Sequence, residues 1–571
     1  MENSRVADLL DEIADLLELK GANEFRIRSY QAASRTVRST SRRLQDMIEQ
    51  GESFETLPNV GVSTAGKIRE ILDTGTCKRL EELRAEWPQG LIQVMGVEGI
   101  GPRKAMKLYQ ELGVQSLEEL QQAAAAGRIQ EVEGFGEKSQ RQILRGIQTL
   151  SGTSDRILYS EAVQQVESLR RHLAELDTVK QWEIAGSYRR GRETVGDLDV
   201  LVLAEDRMRA ATQLSSHKEI AAVISQGSEK LSVRLQSGLQ VDFRFCDAAN
   251  WGAAVFYFTG SKDHNIAVRR IAQEHDWKLN EYGLFSGEDR MAGKTEQEVY
   301  AALGLQWIPP ELREDRGEVE AARQGTLPVL VDLDDIRGDF QSHTVASDGS
   351  HTVQQMADAA RKRGYSYLAI TDHSKRVAMA QGLDDDRCLR HADEIRSVDA
   401  QMEDLWVMAG IEVDILQSGT LDLKHKTLEQ LDWVVGSIHY DRRLSEDKMT
   451  DRLLAAIESG VIHCLAHPLG RIIGRREPLL FDTARVFESC VNNGVFLEIN
   501  AQPDRLDLPD TYCQEARSMG AMFTLGSDAH SVGGLGWMGV GINVARRAWL
   551  QKEHILNTVS VSTLRQQLER S

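Results

Sequence analysis

The sequence predicts a multidomain protein with an all-α N-terminal region, a central α+β region and a C-terminal region of alternating strands and helices. Its 571 residues exceed what one hydrophobic core can serve. Short glycine turns followed by helical periods recur in residues 1–150, and strand-like apolar runs begin near residue 151. After residue 335 such runs alternate regularly with helical periods, which is typical of parallel β/α units.

The composition indicates a cytoplasmic protein with no membrane partner. No apolar run approaches the ~18 residues that a membrane span needs. The N-terminus is charged and helical in period, unlike a secretory signal. The six cysteines are scattered and form no CxxC pair, so we expect reduced thiols rather than a disulfide framework.

The net charge of −19 is unevenly distributed along the chain. Residues 1–150 carry 20 Lys+Arg against 23 Asp+Glu, and residues 151–310 carry 19 against 23. Residues 311–571 carry 29 against 41 and contain ten of the fourteen histidines. An acidic, histidine-rich half indicates metal binding, whereas the nearly balanced remainder neither supports nor excludes nucleic acid.

Three short segments of the N-terminal region share an apolar residue, a tight glycine turn and a helix that opens with small, polar or basic residues. They are LPNVGVSTAGKI (57–68), VEGIGPRKAMKL (97–108) and VEGFGEKSQRQI (132–143). The helix after such a turn presents free N–H groups, which bind phosphate without reading bases. A single copy is most simply a turn between helices, but three copies indicate helix-hairpin-helix contacts with the DNA backbone. The candidate DNA-binding residues here are Gly61, Gly99, Gly101, Lys104, Gly134, Gly136 and Lys138.

Two aspartates, Asp197 and Asp199, begin an apolar strand in GSYRRGRETVGDLDVLV (186–202). Positions i and i+2 of a strand face the same side, and two close carboxylates repel unless a cation lies between them. Asp242, in LQVDFRF, is expected on a neighbouring strand. Three converging carboxylates suit two Mg²⁺ ions that clamp an attacking and a leaving oxygen.

The residues just before these aspartates can hold phosphate. A Gly-Ser turn offers N–H and hydroxyl donors, and a nearby arginine can neutralise the oxygens: Gly186, Ser187 and Arg190. The alternative, surface aspartates after a turn, is disfavoured by the combination of Gly-Ser, GDxD and a later buried aspartate. The pattern therefore predicts transfer of a nucleoside phosphate.

At these motifs, residues 1–310 resemble the family X DNA polymerases, the group that contains the vertebrate repair polymerase β. GSYRRGRETVGDLD matches their nucleotide- and metal-binding motif, and YFTGSKDHN (257–265) matches the segment against the incoming nucleotide. The resemblance implies a nucleotidyltransferase palm and thumb, Mg²⁺ or Mn²⁺ on the three aspartates, and dNTPs with gapped or nicked DNA as substrates.

The same resemblance assigns further nucleotide-binding residues. Tyr257 and Phe258 would pack on the sugar, Asn265 would contact the base edge and Arg269 the template side. The remaining positions of the set are Gly196 and Gly260. Val195 stands where the family often has a phosphate-binding serine, so one triphosphate contact is expected to be missing.

In the N-terminal region, Lys67 aligns with the lysine that forms a Schiff base with 5′-deoxyribose phosphate in some family members. Tyr30 and Arg26 could serve the 5′-phosphate, but Ser63 replaces an expected lysine. Such a lysine must be unprotonated, which needs burial or cationic neighbours. The alternative, Lys67 as one more cation that contacts the DNA backbone, stays open.

Every strand-like segment after residue 335 ends in a residue that can bind metal. In β/α barrels the C-terminal ends of the strands form the active face. A lone histidine at a strand end is usually structural, but eight ligand-type residues at one rim indicate a metal centre. They are His343, Asp348, His373, Glu412, His439, His467, Asp528 and His530.

This set resembles the polymerase and histidinol phosphatase (PHP) domain, a distorted seven-stranded β/α barrel with up to three metals. The resemblance implies that Glu412 bridges two ions and that three groups complete the sites: His343 with Asp528, His439 with His467, and Asp348 with His373 and His530. Imidazole with carboxylate suits Mn²⁺ or Zn²⁺, and such a cluster activates water for phosphoester hydrolysis. Gln341 replaces the first histidine of the usual His-x-His and would be a weaker ligand.

The whole sequence resembles a bacterial or archaeal family X polymerase with a C-terminal PHP domain. The predicted regions are a lyase-like helical domain (1–80), a helix-hairpin-helix subdomain (81–150), a palm (151–248), a nucleotide-selecting subdomain (249–310), a linker (311–334) and the PHP domain (335–571). We expect a monomer that fills short gaps in DNA repair, with a Mn²⁺-dependent 3′→5′ exonuclease that also cuts abasic sites. Three alternatives stay open: a template-independent nucleotidyltransferase, a PHP small-molecule phosphatase, or a metal-stabilised scaffold without catalysis.

Overall fold

The computed structural model describes residues 3–39, 44–49, 51–57, 59–95, 97, 100–132, 135–136, 143, 156–474 and 476–569. The chain forms two compact units, residues 1–156 with 315–317 and residues 157–314 with 318–571. Three of the predicted DNA-binding residues, Gly99, Gly134 and Lys138, lie outside the described residues.

The N-terminal unit is helical, as predicted. Helix α1 buries Val6, Leu10, Ile13 and Leu17, whose spacing of three and four residues places them on one face. The helices are α1 (Asn3–Leu19), α2 (Glu24–Ser39), α3 (Leu44–Glu49), α4 (Val62–Thr74), α5 (Lys78–Arg84), α6 (Gln89–Met95), α7 (Pro102–Leu112) and α8 (Leu117–Ala125).

The first two glycine-turn segments each lead into a helix. Gly61 is the N-cap of α4 and Gly101 the N-cap of α7, where Pro102 occupies the first turn. Asn59 has a φ of 62°, the left-handed conformation that asparagine tolerates better than most residues. This conformation explains how the first segment turns without a second glycine. In the third segment, Phe135 is buried and Gly136 is exposed.

The palm is a five-stranded sheet whose strands lie in the spatial order 179–184, 197–204, 240–246, 230–235 and 220–226, with the second and third parallel and the other neighbours antiparallel. Its core joins strand residues such as Val200 and Val202 to Val166 and Leu214 of two covering helices. The elements are β1 (Ile157–Leu158), α9 (Tyr159–Glu175), β2 (Val179–Ile184), α10 (Gly186–Arg189), β3 (Thr194–Val195), β4 (Asp197–Ala204), α11 (Arg207–Leu214), β5 (Ile220–Gln226), β6 (Lys230–Leu235) and β7 (Gln240–Cys246).

The thumb follows the palm and includes part of the segment predicted as a linker. Leu312 and Ala322, both inside 311–334, are buried in the thumb core, so this segment is folded rather than extended. The elements are α12 (Trp251–Thr259), α13 (Lys262–Glu274), β8 (Trp277–Asn280), β9 (Gly283–Ser286), β10 (Asp289–Ala292), α14 (Glu296–Ala302) and α15 (Glu318–Gln324).

A buried carboxylate, Glu296, joins palm and thumb. Arg189 Nη2 of the palm donates to Glu296 Oε2 (2.9 Å), and Arg313 Nη1 donates to Oε1 (2.6 Å). Burial raises the pKa of Glu296, but the two arginines outweigh burial and lower it from 4.5 to about 2. The pair of arginines therefore stabilises the ionised carboxylate inside the fold.

We expect Glu296→Gln to lower the free energy of unfolding by about 3 kcal/mol at neutral pH, from the lowered pKa. Because the folded-state pKa is the lower one, this stabilisation is full above about pH 4.5 and is lost as the pH falls toward 2. Denaturant unfolding at several pH values should show the difference shrinking to less than half by about pH 3. Exposed Glu298→Gln on the same helix is the control, and a pH-independent difference for Glu296→Gln would contradict this account.

The C-terminal region is a nearly closed barrel of seven parallel strands in sequence order, as expected. A parallel bridge between Ser342 and Ala529 brings the first and last strands together. The strands are β11 (Gly338–Asp339), β12 (Tyr367–Ile370), β13 (Trp406–Asp414), β14 (Trp433–Ser437), β15 (Cys464–Leu465), β16 (Phe496–Asn500) and β17 (Phe523–Gly526). The helices are α16 (Val353–Lys362), α17 (Asp385–Asp399), α18 (His425–Leu428), α19 (Glu446–Ile457), α20 (Thr483–Asn493), α21 (Asp510–Ser518), α22 (Met538–Arg547) and α23 (Val561–Leu568).

The barrel strands are buried on both faces, which explains their continuous apolar sequences. On β13, a Cβ at Gly410 would lie 2.8 Å from the carbonyl oxygens of both Ile370 and Trp433, so the strands approach closely only because this residue is glycine. Across the described residues, no helix is both long and apolar enough to cross a membrane.

Candidate functional site

The three predicted catalytic aspartates lie together on the palm sheet. Asp199 and Asp242 are direct partners in the register of the parallel strands β4 and β7. Asp197 precedes Asp199 by two residues and therefore faces the same side of the sheet. Asp242 is buried, Asp199 is half-buried and Asp197 is exposed, so this face opens from the sheet towards solvent.

Two cationic side chains neutralise the inner pair of aspartates. Arg244 Nε donates to Asp199 Oδ1 (3.1 Å), and Lys230 Nζ lies 2.6 Å from Asp242 Oδ2. Burial raises the pKa of Asp199 and Arg244 opposes this, with the balance above the ordinary value. Burial also raises the pKa of Asp242, but hydrogen bonds from Lys230, Ser232 and Gln240 outweigh it.

In this structure Lys230 and Arg244 supply positive charge beside Asp242 and Asp199. A divalent ion could supply the same positive charge, so the carboxylates suit such an ion. Three acidic groups on one sheet face repel one another, and oxygen ligands are those that Mg²⁺ prefers. Arg244 was not predicted, although it lies two residues after Asp242 on the same face. The period of two along a strand is the signal that could have identified it.

The segment predicted to bind nucleotide, residues 186–196 (hereafter the nucleotide-binding turn), begins beside the aspartates. Gly186 has a φ of 64°, and a Cβ there would lie 3.2 Å from Asp199 Oδ2. Glycine is therefore required both by the backbone and by the close approach. Ser187 follows within the single helical turn α10, and Gly196 directly precedes β4. Val195 is buried and pairs with Ile157, so the family serine is replaced here by a core residue.

Arg190, predicted to neutralise phosphate, is mostly buried and hydrogen-bonded within the protein. Its Nε donates to Glu314 Oε1 (3.0 Å) and its Nη1 donates to the carbonyl oxygen of Thr259 (2.5 Å). Burial lowers the pKa of Arg190, and Glu314 opposes this. Glu314 is a residue that the sequence motif did not reveal.

The other predicted nucleotide-binding residues lie at the end of α12 and on α13. The Phe258 ring packs edge-on against Tyr257 (5.1 Å between centroids) and lies 4.2 Å from the Arg244 guanidinium. Phe258 thus connects the α12 segment to the aspartates. Gly260 ends this helix with a φ of 70°.

Asn265 is buried, and its amide nitrogen donates to the carbonyl oxygen of Tyr257 (2.7 Å). Its side-chain oxygen has no hydrogen-bond partner among the described residues. Arg269 Nε donates to the main-chain oxygen of Asn265 (3.1 Å). Asn265 and Arg269 are therefore held together on one helix, and the side-chain oxygen of Asn265 can still accept a hydrogen bond.

In the N-terminal unit, Lys67 is half-buried beside Tyr30. Its ammonium donates to the main-chain and side-chain oxygens of Ser63 (2.9 Å each) and lies 5.7 Å from the Tyr30 ring centroid. Arg26 is exposed one turn earlier on the helix that carries Tyr30. Lys104 contacts the Phe135 ring (5.7 Å), which links the second and third glycine-turn segments.

In the barrel, the eight predicted metal ligands converge at the rim formed by the carboxyl ends of the strands. Glu412 lies at the centre: its carboxylate oxygens are 2.9 Å from His373 Nδ1, 2.9 Å from His467 Nε2 and 3.5 Å from His439 Nε2. His343 Nε2 lies 3.6 Å from Glu412 and 3.0 Å from Asp528.

A second acidic residue, Asp348, lies at the outer side of this cluster. It is 3.5 Å from His373 Nε2, 3.4 Å from His530 Nε2 and 4.0 Å from His343 Nδ1. Potential ligand atoms of His343, Asp348, His373 and His530 fit around one ion, and those of His373, Glu412 and His439 around another. His373 thus belongs to both groups, which differs from the predicted division into sites.

The ligand atoms fit a metal centre because several are buried without hydrogen bonds. Among the described residues, both ring nitrogens of His343, Nδ1 of His373 and Oε2 of Glu412 make no well-oriented hydrogen bond, although they lie within 4.0 Å of oppositely charged partners. Buried polar atoms without such hydrogen bonds are costly unless an ion completes them. Mixed imidazole and carboxylate donors match Mn²⁺ or Zn²⁺ chemistry.

Gln341 faces a carboxylate that the sequence did not identify. With its amide nitrogen on that side, Gln341 donates to Glu498 Oε2 (3.2 Å). The same carboxylate accepts from His467 N (2.7 Å) and from Asn500 (3.1 Å). Burial and the nearby Asp528 raise the pKa of Glu498 well above its ordinary value.

Other residues orient the ligands or surround them with positive charge. Asp414 accepts from the backbone of His439 (3.0 Å) and contacts its Nδ1 (3.1 Å). Arg505 Nε lies 3.8 Å from Asp528. Burial, together with the positive charges of Arg476 and Arg505, lowers the pKa of Arg442 to about 10. A group of mutually repelling arginines, one of which contacts a metal-ligand candidate, suits an anionic substrate.

Comparison with known protein families finds five matching segments in the chain. Residues 156–271 match the DNA polymerase beta palm, 254–314 the DNA polymerase beta thumb and 339–502 the PHP domain. Residues 1–77 match a helix-hairpin-helix domain, and 91–149 match a SAM-like helix-hairpin-helix tandem.

The chain is 34% identical to "DNA polymerase/3'-5' exonuclease PolX" of Bacillus subtilis (strain 168) over an alignment of 575 residues. This alignment covers 100% of both proteins. The chain belongs to the PolX family of DNA polymerases. This result confirms, at the level of the family, the resemblance to family X polymerases with a PHP domain and the expectation of an enzyme.

Two further relatives each match only a part of this PolX chain. "DNA polymerase lambda" of Arabidopsis thaliana is 26% identical over 304 residues, 47% of this chain and 54% of that protein. "Probable phosphatase PBPRB2022" of Photobacterium profundum is 28% identical over 209 residues, 35% of this chain and 80% of that protein.

Proposed function

We propose that this PolX chain is a DNA-directed DNA polymerase that fills short gaps during repair. The observation that carries the proposal is the direct pairing of Asp199 with Asp242 beside the Gly186 turn, inside a segment that matches the polymerase beta palm. Gapped or nicked DNA and dNTPs are the proposed substrates, and the helix-hairpin-helix segments 1–77 and 91–149 support backbone contacts with that DNA.

The chain's own residues orient the reactants in this proposal. Asp197, Asp199 and Asp242 would hold Mg²⁺ or Mn²⁺, which supplies a lowered pKa for the primer 3′-hydroxyl and neutralises charge on the transferred phosphate. The turn at Gly186 and Ser187 offers donors to the triphosphate oxygens. Lys230 and Arg244 pair with oxygens of Asp242 and Asp199, so both cationic side chains would have to give up these contacts for the carboxylates to hold the ions.

For the barrel we propose a Mn²⁺-dependent 3′→5′ exonuclease that also cuts abasic sites. The ligand atoms around Glu412 that lack well-oriented hydrogen bonds, and Arg505 beside Asp528, support metal-assisted hydrolysis of a phosphoester. The Bacillus subtilis relative is named as a 3'-5' exonuclease as well as a DNA polymerase. The phosphatase relative keeps a small-molecule substrate as the second candidate for this half.

The polymerase proposal is tested with a one-nucleotide gap in duplex DNA and Mg²⁺. We expect incorporation of the templated dNTP alone, and extension of single-stranded DNA at under about 1% of that rate, because template pairing selects the base. Equal extension of single-stranded DNA with any dNTP would instead identify a template-independent nucleotidyltransferase.

We also propose the predicted domain boundaries, except that residues 311–334 belong in part to the thumb, together with a monomeric state, a cytoplasmic location and the ions named for each site. The lyase role of Lys67 is supported by its position beside Tyr30. Borohydride trapping of a 5′-deoxyribose phosphate adduct in the native protein, and none in Lys67→Ala, would establish it.

A further inference from the structure

Helix α22 of the PHP barrel packs directly against the nucleotide-binding turn. Gly191, in this turn, has a φ of 62°, and a Cβ there would lie 3.0 Å from Cβ of Asn543 on α22. Tyr159, whose ring stacks on Tyr188 of the turn (5.0 Å), also packs against the apolar core of the barrel. The turn therefore has a barrel helix, rather than solvent, on one side.

Arg547, the last residue of α22, hydrogen-bonds to the main chain of the turn. Its Nη1 donates to the carbonyl oxygen of Arg190 (3.0 Å) and to Glu314 Oε1 (2.9 Å). Its Nη2 donates to Asp510 Oδ2 of the barrel (2.7 Å), and its side chain is only 3% exposed. A single buried guanidinium thus connects the barrel to the phosphate-binding segment of the polymerase.

Glu314 divides its negative charge among three arginines. One oxygen accepts from both Arg190 (3.0 Å) and Arg547 (2.9 Å), and the other lies 3.5 Å from Arg192. Burial raises the pKa of Glu314, but these arginines outweigh burial and lower it to about 2. Glu314 is therefore ionised under assay conditions, and loss of Arg547 would leave its charge to Arg190 and Arg192.

A second barrel residue contacts the far end of the turn. Arg471 Nη1 donates to Glu193 Oε2 (3.2 Å), and its Nη2 contacts Glu193 Oε1. Arg471 follows the metal-ligand candidate His467 by four residues. The turn is thus held at Arg190 and at Glu193 by two different segments of the PHP barrel.

We propose that Arg547 is a positioning residue for nucleotide addition: it fixes the nucleotide-binding turn and shares the charge of Glu314, so that Arg190 can reach the triphosphate. The barrel is in this respect a structural part of the polymerase site. The inference rests on the proposed function of the turn, residues 186–196, in binding the incoming dNTP.

The test is steady-state filling of a one-nucleotide gap by full-length Arg547→Met. We expect the KM for the dNTP to rise about tenfold while kcat changes less than about threefold, because ground-state positioning of the triphosphate is lost. Exonuclease activity of the barrel should stay within about twofold of the native rate, since the hydrogen bonds of the Arg547 side chain involve none of the metal-ligand candidates. Arg547→Lys, which keeps the charge but not the forked geometry, should give an intermediate KM.

Arg546→Met is the matched control for loss of interface contacts alone. The neighbouring Arg546 donates to Glu311 (2.7 Å) and to the carbonyl oxygen of Val331 (2.9 Å), and within the described part of the chain none of its hydrogen bonds or ion pairs involves the turn. We expect its KM to remain within about twofold of the native value. An equal rise in both variants, or an unchanged KM in Arg547→Met, would overturn the proposal.

The Glu314→Gln background tests whether Arg547 acts through the shared carboxylate. Removing that charge should shrink the further effect of Arg547→Met on KM to the part that comes from the lost hydrogen bond to the Arg190 carbonyl oxygen, so that the effects of the two substitutions are not additive. Independent, additive rises in KM would contradict this route. A native chain that binds no dNTP by calorimetry would overturn both this inference and the proposed polymerase function, whereas native incorporation with an unchanged Arg547→Met isolates the failure to the inference.

Discussion

We expect Asp199→Asn to abolish templated nucleotide addition, with a fall in kcat of about 10³-fold or more, because a carboxylate proposed to hold the divalent ions is lost. Asp199 pairs in register with Asp242 and contacts Gly186 of the nucleotide-binding turn. Asparagine keeps the shape but not the charge, so the palm fold should persist. The measurement is single-turnover filling of a one-nucleotide gap, with melting temperature as a check on folding.

The matched control for this charge loss is Asp206→Asn, at the N-cap of α11 just beyond the same strand. Asp206 accepts from Arg209 N (3.0 Å), a hydrogen bond that asparagine can also accept. We expect its rate to stay within about twofold of the native value, since helix caps affect stability rather than chemistry. A rate for Asp199→Asn that matches this control would remove Asp199 from the catalytic set.

Glu412→Gln will disable the PHP site while leaving polymerisation intact. Four histidines lie within 3.6 Å of the Glu412 carboxylate, which is buried and carries an oxygen without a hydrogen bond. We expect the bound transition metal to fall by at least one ion per chain and exonuclease activity to fall about 10²-fold or more, since an anionic ligand becomes neutral. Elemental analysis after gel filtration gives the metal content, and shortening of a labelled primer gives the activity.

Glu429→Gln provides the control, because Glu429 is an exposed glutamate of the same barrel that contacts only His425 in the described contacts (3.4 Å). Its metal content and activity should equal those of the native protein. Native metal content in Glu412→Gln would contradict the assigned centre. If Glu412→Gln loses metal but the native protein itself shows no nuclease activity, the scaffold alternative is favoured.

The elements that could be predicted from the sequence are those in which the hydrophobic pattern extends over several residues. Six of the seven barrel strands follow from apolar runs, but β11, Gly338–Asp339, has two residues and no period to detect. Helix α15 was missed because its polar, proline-flanked surroundings resemble a linker, although Ala322 packs in the thumb core. Strand β5 was also missed, because its residues after Ile220 are exposed and show no alternation of polarity.

The candidate ligands were predictable because their chemistry is local to short motifs, whereas their partners are not. Asp197 and Asp199 share one strand face by spacing alone. Glu498 lies 157 residues after Gln341, and Arg547 lies 357 residues after Arg190, so no local pattern joins either pair. Such contacts depend on how the barrel closes and on how it packs against the palm.

The central claim is that one chain contains two metal sites with opposite activities, and one assay tests it most directly. A 5′-labelled primer in gapped DNA is incubated with Mn²⁺, first without dNTPs and then with them. We expect the native protein to shorten the primer without dNTPs and to extend it with them. Asp199→Asn should only shorten the primer, and Glu412→Gln should only extend it. Loss of both activities in either variant, or persistence of both in each, would contradict the account.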